Sequence, residues 1–230
     1  MKQRSTDVIE QKLIAAILEG TYMINEELPS ERDLAELVHS GRPAVREALQ
    51  RLERDGWITI RQSKPAFVND FWRQGNLSTI VNILRSYEHV PDHFVQYMLE
   101  LRVVLLPVCV KDSITFERMN AYFLLKETEH LINDATAYAQ FDWQLQKGLA
   151  ALSPNPIYLL IFNSFQEIYP KLATYYFSQE KHRIASFHYY QQLMECMIQN
   201  EADRAAIITE EVMRESAEQW KKDRRGLHEE

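Results

Sequence analysis

Arg42 and Arg46 stand four residues apart at the start of a segment whose apolar residues recur at helical spacing. Two guanidinium groups sharing one face near a helix N-terminus suit one chemistry, bonding base edges or phosphates from inside the major groove of duplex DNA. A bidentate arginine contact to guanine discriminates by about 1–3 kcal/mol. Arg32 opens the preceding helical segment and can approach the backbone or a base from the groove edge, while Lys64 in a following turn can reach a minor groove or a phosphate. Taken singly, each reads equally well as a surface charge. Their ordered setting favours DNA.

A further arginine belongs to different chemistry. Arg102 interrupts the apolar stripe Val95, Leu99, Val103, Leu106, Val110, where a bare charge is costly. It is either a snorkelling or acid-paired structural residue, with Glu100 or Asp142 as partner, or an anchor for a phosphate or carboxylate. Enzymatic chemistry finds little support. The chain has 6 Gly, no phosphate loop and no nucleophile elbow. Cys109 and Cys196 lie far apart, outside any C-x-x-C spacing, and read as buried free thiols of a cytoplasmic protein. His130, His182 and His188 show no ligand spacing and read as surface or satisfied core imidazoles. No metal and no cofactor is expected.

These residues need elements to hold them. A first helix is predicted over Asp7–Glu19, capped by Ser5 or Thr6, with Ile9, Leu13, Ala16 and Ile17 as its stripe and Gly20 as its exit; the loop Thr21–Leu28 follows. Ser30 caps a second helix whose Asp33 complements the N-terminus, with Leu34, Leu37 and Val38 facing inward. Ser40 or Gly41 caps a third, Arg42–Asp55, with Pro43 in its first turn, Val45, Ala48, Leu49 and Leu52 on its inner face, and Gly56 at its end. Residues 57–61 and 66–69 are β-prone around the turn Gln62–Pro65. The sum is a winged helix-turn-helix over 1–72, with 70–76 as linker.

From Leu77 onward the pattern is helical only. Leu77, Ile80, Val81, Leu84 and Tyr87 mark one helix, Pro107 is expected to kink the next, and further helices fall near 115–133, 135–152, 156–178, 181–199 and 201–222. Residues 73–230 thus read as an all-α bundle of about seven helices, and the fold class as mainly α.

Charge looks unfavourable for a DNA reader: 26 Lys+Arg face 33 Asp+Glu, a net of -7. Its distribution is more informative. Residues 42–64 hold six basic side chains (Arg42, Arg46, Arg51, Arg54, Arg61, Lys64) against three acidic ones (Glu47, Glu53, Asp55). A mean hydropathy of -0.37 and the lack of a long uncharged apolar run argue against a membrane span, and Met1–Glu10 has no secretory character.

The run Leu28-Pro29-Ser30-Glu31-Arg32-Asp33-Leu34-Ala35, then Arg46-Glu47-Ala48-Leu49 and Leu52 to Ile58, resembles the GntR regulator family. Asp55-Gly56-Trp57, Lys64-Pro65, Val68-Asn69, Phe71-Trp72, Asp142, Gly148-Leu149-Ala150, Asn155-Pro156-Ile157-Tyr158 and Tyr176-Phe177 extend the likeness to its fatty-acid-responsive FadR branch, over nearly the whole chain. The resemblance implies a homodimer on a near-palindromic DNA operator and an effector domain binding a long-chain acyl-CoA that weakens DNA affinity. Matched position by position, it assigns DNA contacts to Arg32, Arg42, Arg46 and the wing tip Gln62, Ser63 and Lys64. It supports Arg102 as anchor and points to Tyr169, Tyr176, Ser216 and Trp220 as pocket positions.

The departures are equally specific. Many relatives hold a metal with one Asp and three His; here Asp142 is kept, while Gln146 and the neighbourhoods of Tyr190 and Val212 stand where histidines are expected. Gly41, Pro43 and Ala44 replace hydroxyl side chains, Gln62-Ser63 replaces a His-Gly wing tip, Met213 replaces a pocket glycine and Ala217 a second one. These changes bear on operator and ligand identity. The alternatives are a regulator of the same family sensing another small anion such as an organic acid, an enzyme with a helical domain, and a helical scaffold whose wing meets protein. The operator and the direction of regulation, repressor or activator, are not written in the sequence.

Overall fold

The computed structural model describes residues 5–62, 64–86 and 91–226. Contacts divide the chain into two units, Met1–His89 and Val90–Glu230.

In the first unit, α1 (Ser5–Leu18) buries Ile9, Leu13, Ile14 and Ile17. It packs on α3 (Arg42–Arg54), whose Val45, Ala48, Leu49 and Leu52 are all buried, as their spacing predicts. Thr6 is no cap: it lies inside α1 and donates from Oγ1 to Glu47 Oε2 at 3.2 Å. Between them, α2 (Glu31–Leu37) starts at Ser30, whose Oγ accepts from the Asp33 N–H at 3.3 Å. Leu34 is fully buried, but Leu37 is 66% exposed, so the inward face of this short helix is Leu34 and Ala35. The N-cap of α3 is Gly41, with Pro43 in the first turn.

The hairpin pairs β1 (Ile58–Arg61) with β2 (Lys64–Val68), antiparallel. Residues 25–28, expected as loop, add a third rung. Leu28 N–H donates to Ala66 O at 2.7 Å, and Val68 N–H donates to Glu26 O at 2.9 Å. The other edge of β2 therefore has partners that no local pattern announces. Gly56 turns the chain at φ +84°, and a Cβ there would stand 2.7 Å from the Gln74 carbonyl. Only glycine allows that approach to the segment behind the wing. That segment holds a short helix, α4 (Phe71–Gln74), and then α5 (Leu77–Ser86), which buries Thr79, Ile83 and Leu84. Tyr87 lies outside the described residues.

The second unit is helical throughout its described residues: α6 (Asp92–Lys126), a 3-10 turn at Glu127–His130, α7 (Ala135–Ala151), α8 (Pro156–Ser164), α9 (Tyr169–Phe177), α10 (Glu180–Gln199) and α11 (Ala202–Gly226). The chain runs through Pro107 with helical dihedrals and breaks at Glu117 (φ -139°, ψ 38°), which makes two segments of α6. The stretch 156–178, expected as one helix, divides because α8 closes at Phe165 and Pro170 starts α9 afresh. Leu106, Val110, Leu149, Leu193 and both buried thiols, Cys109 and Cys196, fill the core. Gly148 lets α7 close on α6, since a Cβ there would meet Leu124 Cδ1 at 2.6 Å.

By length and composition alone, the span Asp92–His130, with an 18-residue stretch of mean hydropathy 1.4, is apolar enough to cross a membrane, as the core helix of a globular protein also can be. Leu106 and Val110 of α6 point into the core, whereas Val104 is 72% and Val108 42% exposed. Apolar residues on both its core face and part of its outer face account for that hydropathy.

Candidate DNA-reading face and effector cavity

The six basic residues of 42–64 differ in their contacts. Arg51 is a clamp between helices: Nη1 donates to Asp7 at 2.8 Å and Glu10 at 3.3 Å, and Nη2 to Glu47 at 2.6 Å. Arg54 bonds the buried Asp55 at 2.8 Å, which also accepts from Asn82 Nδ2 at 2.9 Å. Arg61 lies 4.1 Å over the Phe67 ring. Only Arg51 is partly buried; Arg54, 68% exposed at its side chain, and Arg61 make these contacts at the surface, where Arg42, Arg46 and Lys64 also lie, at the start of α3 and on the wing.

Arg46 is engaged but not buried. Its Nε donates to Glu31 Oε1 at 3.1 Å and its Nη2 to Oε2 at 2.7 Å, a bidentate pair between α3 and the start of α2. Bonding to Glu31 raises the Arg46 pKa above its ordinary value. Arg32, 67% exposed at its side chain, bonds Asp33 at 3.3 Å. Gln62 is exposed in the turn. Ser63 lies outside the described residues. Reading the sequence alone missed Glu31, because its partner stands 15 residues away.

In the helical unit a cavity of about 540 Å³ collects every sequence-selected position: Arg102, Tyr169, Tyr176, Met213, Ser216 and Trp220. Its walls are mostly apolar, with Leu99, Phe162, Phe165 and Leu172 among them. Its polar end is one hydrogen-bonded cluster. Arg102 Nη1 donates to the Tyr169 hydroxyl at 2.5 Å and Nη2 to Ser216 Oγ at 2.6 Å. The Tyr169 hydroxyl donates to Asp142 Oδ2 at 2.6 Å. Gln146 Nε2 donates to the same carboxylate oxygen at 2.6 Å, and Tyr190 donates to Oδ1 at 2.9 Å. Ser216 passes its own proton to Met213 O at 2.9 Å.

Neither expected acid pairs Arg102 directly. Glu100 accepts instead from Gln96 at 2.7 Å, and Asp142 is reached through Tyr169. Burial opposes the Arg102 charge, but Tyr169 and Asp142 outweigh it and leave the pKa above the ordinary arginine value. Burial pushes the Tyr169 phenol up and takes Tyr176 to about 12, so both stay neutral donors. Tyr176 stacks on His182, ring centroids 3.9 Å apart, and His182 Nε2 meets Asp223 at 2.8 Å. Burial lowers the His182 pKa despite that carboxylate.

The metal set of the wider family does not fit here. Gln146 and Tyr190, where histidines are expected, aim hydrogen-bond donors at Asp142, and Val212 adds an apolar wall. Among the described residues no group of three His, Cys, Asp or Glu side chains is placed to hold a metal. The Asp142–Gln146 spacing of four was the one signal in the sequence for this cluster.

Comparison with known proteins covers residues 5–230. Residues 5–68 match the bacterial regulatory proteins of the gntR family, and residues 69–230 match the FadR C-terminal domain. The fatty acid metabolism regulator protein of Shewanella pealeana is 37% identical over 204 residues, 86% of this chain and 84% of its own length. That of Cronobacter sakazakii is 31% identical over 219 residues, 95% of this chain and 91% of its own. The solved structure of Lar, which controls expression of the Listeria monocytogenes agr system, superposes with a TM-score of 0.63 at 16% identity over 96% of this chain and 99% of its own, a likeness of fold alone.

Proposed function

Because the chain belongs to the gntR family and carries a FadR C-terminal domain, it is a DNA-binding transcriptional regulator, not an enzyme, and we propose that it governs fatty acid metabolism. In this reading it acts in the cytoplasm as a homodimer, and a long-chain acyl-CoA releases it from its operator. The naming of its relatives supports the first part. The observation that carries the ligand is the apolar cavity with a single arginine, Arg102, at its polar end. Apolar walls suit an acyl chain, and a buried cation suits an oxygen-rich head.

Arg42, Arg46 and Arg32 read the groove, with Gln62, Ser63 and Lys64 at the wing. Tyr169 and Ser216 hold Arg102 in place, while Tyr176, Met213 and Trp220 shape the cavity. Ligand binding favours a domain arrangement in which the two recognition helices of the dimer no longer match two half-sites. A thermal-shift series of acyl-CoAs against organic acids tests the ligand class. Stabilisation by oleoyl-CoA that grows with concentration is the expected result. Stabilisation by an organic acid and none by any acyl-CoA replaces this reading with that of a sensor for another small anion.

A further inference from the structure

The anchor of the cavity is a balanced cation. Arg102 Nη1 donates to the Tyr169 hydroxyl at 2.5 Å, and that hydroxyl donates to Asp142 Oδ2 at 2.6 Å, so a single hydroxyl stands between the guanidinium and a carboxylate. The carboxylate is held in place from both oxygens. Gln146 Nε2 donates to Oδ2 at 2.6 Å and the Tyr190 hydroxyl to Oδ1 at 2.9 Å. Asp142 is 6% exposed, Arg102 and Tyr169 are partly buried, and all three line the cavity. Burial keeps the Tyr169 phenol protonated and lowers the His182 pKa below its ordinary 6.5, so neither adds a charge at neutral pH. Lys181, Glu215 and Glu218 also border the cavity, but they are exposed and solvent screens them.

A counter-charge this close changes what the arginine selects. A group that settles beside Arg102 meets a pair whose charges sum to zero. An uncharged carbonyl leaves that balance intact. A carboxylate adds a net negative charge to a site shielded from water, with Asp142 as a like charge behind the arginine. We propose that Asp142 is a specificity-determining residue of the effector cavity: by balancing Arg102 through Tyr169, it selects an acyl chain whose head is an uncharged carbonyl, as in a thioester, ester or amide, over the free carboxylate. The selection rests on the effector reading for the placement of the ligand head beside Arg102. It also gives Asp142 an unusual signature. Removing this buried carboxylate should make the cavity a better binder of anions.

The test uses two ligands of one shape and different charge. Decanamide and decanoate are each titrated into the full chain by calorimetry at about pH 8, where decanoate is ionised. The unaltered chain should bind decanamide about tenfold more tightly than decanoate. In Asp142→Asn the ratio should move toward decanoate by about tenfold, because the guanidinium is left uncompensated. A residue that only supports packing would shift both ligands together, and an unchanged ratio in Asp142→Asn overturns the proposal. Decanoate binding as tightly as decanamide in the unaltered chain, or no binding of decanamide, overturns it too. If Asp142→Asn does not fold, the comparison in the unaltered chain decides alone. Lauroyl-CoA is run in parallel: no binding of it, with the decanamide preference intact, removes the acyl-CoA reading and leaves the selection by Asp142 standing.

Discussion

Arg46 of the recognition helix is held by Glu31 in a bidentate pair of 3.1 and 2.7 Å, across the turn of the helix-turn-helix. The guanidinium is thus held in one orientation in the free protein, by a carboxylate that is itself partly buried. Arg46→Ala should weaken operator binding by roughly 5- to 150-fold, the range of one lost bidentate base contact. Glu31→Gln should act oppositely on random DNA, raising non-specific affinity while lowering the ratio of operator to random binding. Fluorescence anisotropy with both duplexes, at several salt concentrations, measures each effect.

Arg51 should behave unlike its neighbours. Its contacts to Asp7, Glu10 and Glu47 tie α1 to α3. Arg51→Ala should destabilise the chain by about 1 kcal/mol, since it removes the shared partner of three acids, of which Asp7 and Glu47 reach solvent, Glu47 keeps Thr6 and only Glu10 is largely buried. Denaturant unfolding measures that loss, and the salt slope of DNA binding should stay unchanged.

Met213 fills space beside the anchor: it is 3% exposed and lines the cavity. Met213→Gly should enlarge the cavity and shift preference toward longer acyl chains, at a cost in stability of about 2–5 kcal/mol from the lost buried side chain. Competition among acyl-CoAs of graded length checks the direction.

The His182–Asp223 contact predicts a pH dependence. The folded-state pKa of His182 lies below its ordinary 6.5, because burial disfavours the cation more than Asp223 favours it and Lys181 opposes it too. Below that ordinary value the unfolded state therefore takes up the proton first. Stability should be full above about pH 6.5 and decline as pH falls toward the folded value. Asp223, itself lowered from 3.8, adds its loss only at more acid pH. Thermal unfolding at about pH 7.5 and about pH 5.5 should show the decline, and His182→Phe, which keeps the stack on Tyr176, should flatten it.

What the sequence disclosed was local. The inner face of α3, Pro43 in its first turn and Gly56 at its end follow from spacing and backbone preference, and all stand in the structure. The break in an apolar face that marked Arg102, and the family likeness that pointed to Tyr169, Tyr176, Ser216 and Trp220 and to the substituted position Met213, pick out residues that share one cavity. What stayed hidden needed distant partners. The pairing of residues 25–28 with β2, the clamp of Arg51 on Asp7 and Glu10, and the meeting of Asp142 with Tyr169 and Tyr190 each join segments well apart in the chain. Leu37 misled because a helix of seven residues buries a single turn.

Filling the cavity at Arg102 should loosen the grip on DNA. Its most direct measurement is anisotropy of a labelled duplex, recovered by selection from randomised DNA, titrated with the full chain at fixed salt with and without oleoyl-CoA. Oleoyl-CoA should weaken binding by at least tenfold, within the usual range of coupling between sites, and Arg102→Ala should bind the duplex normally but no longer respond. DNA affinity unchanged by oleoyl-CoA in the unaltered chain would contradict it.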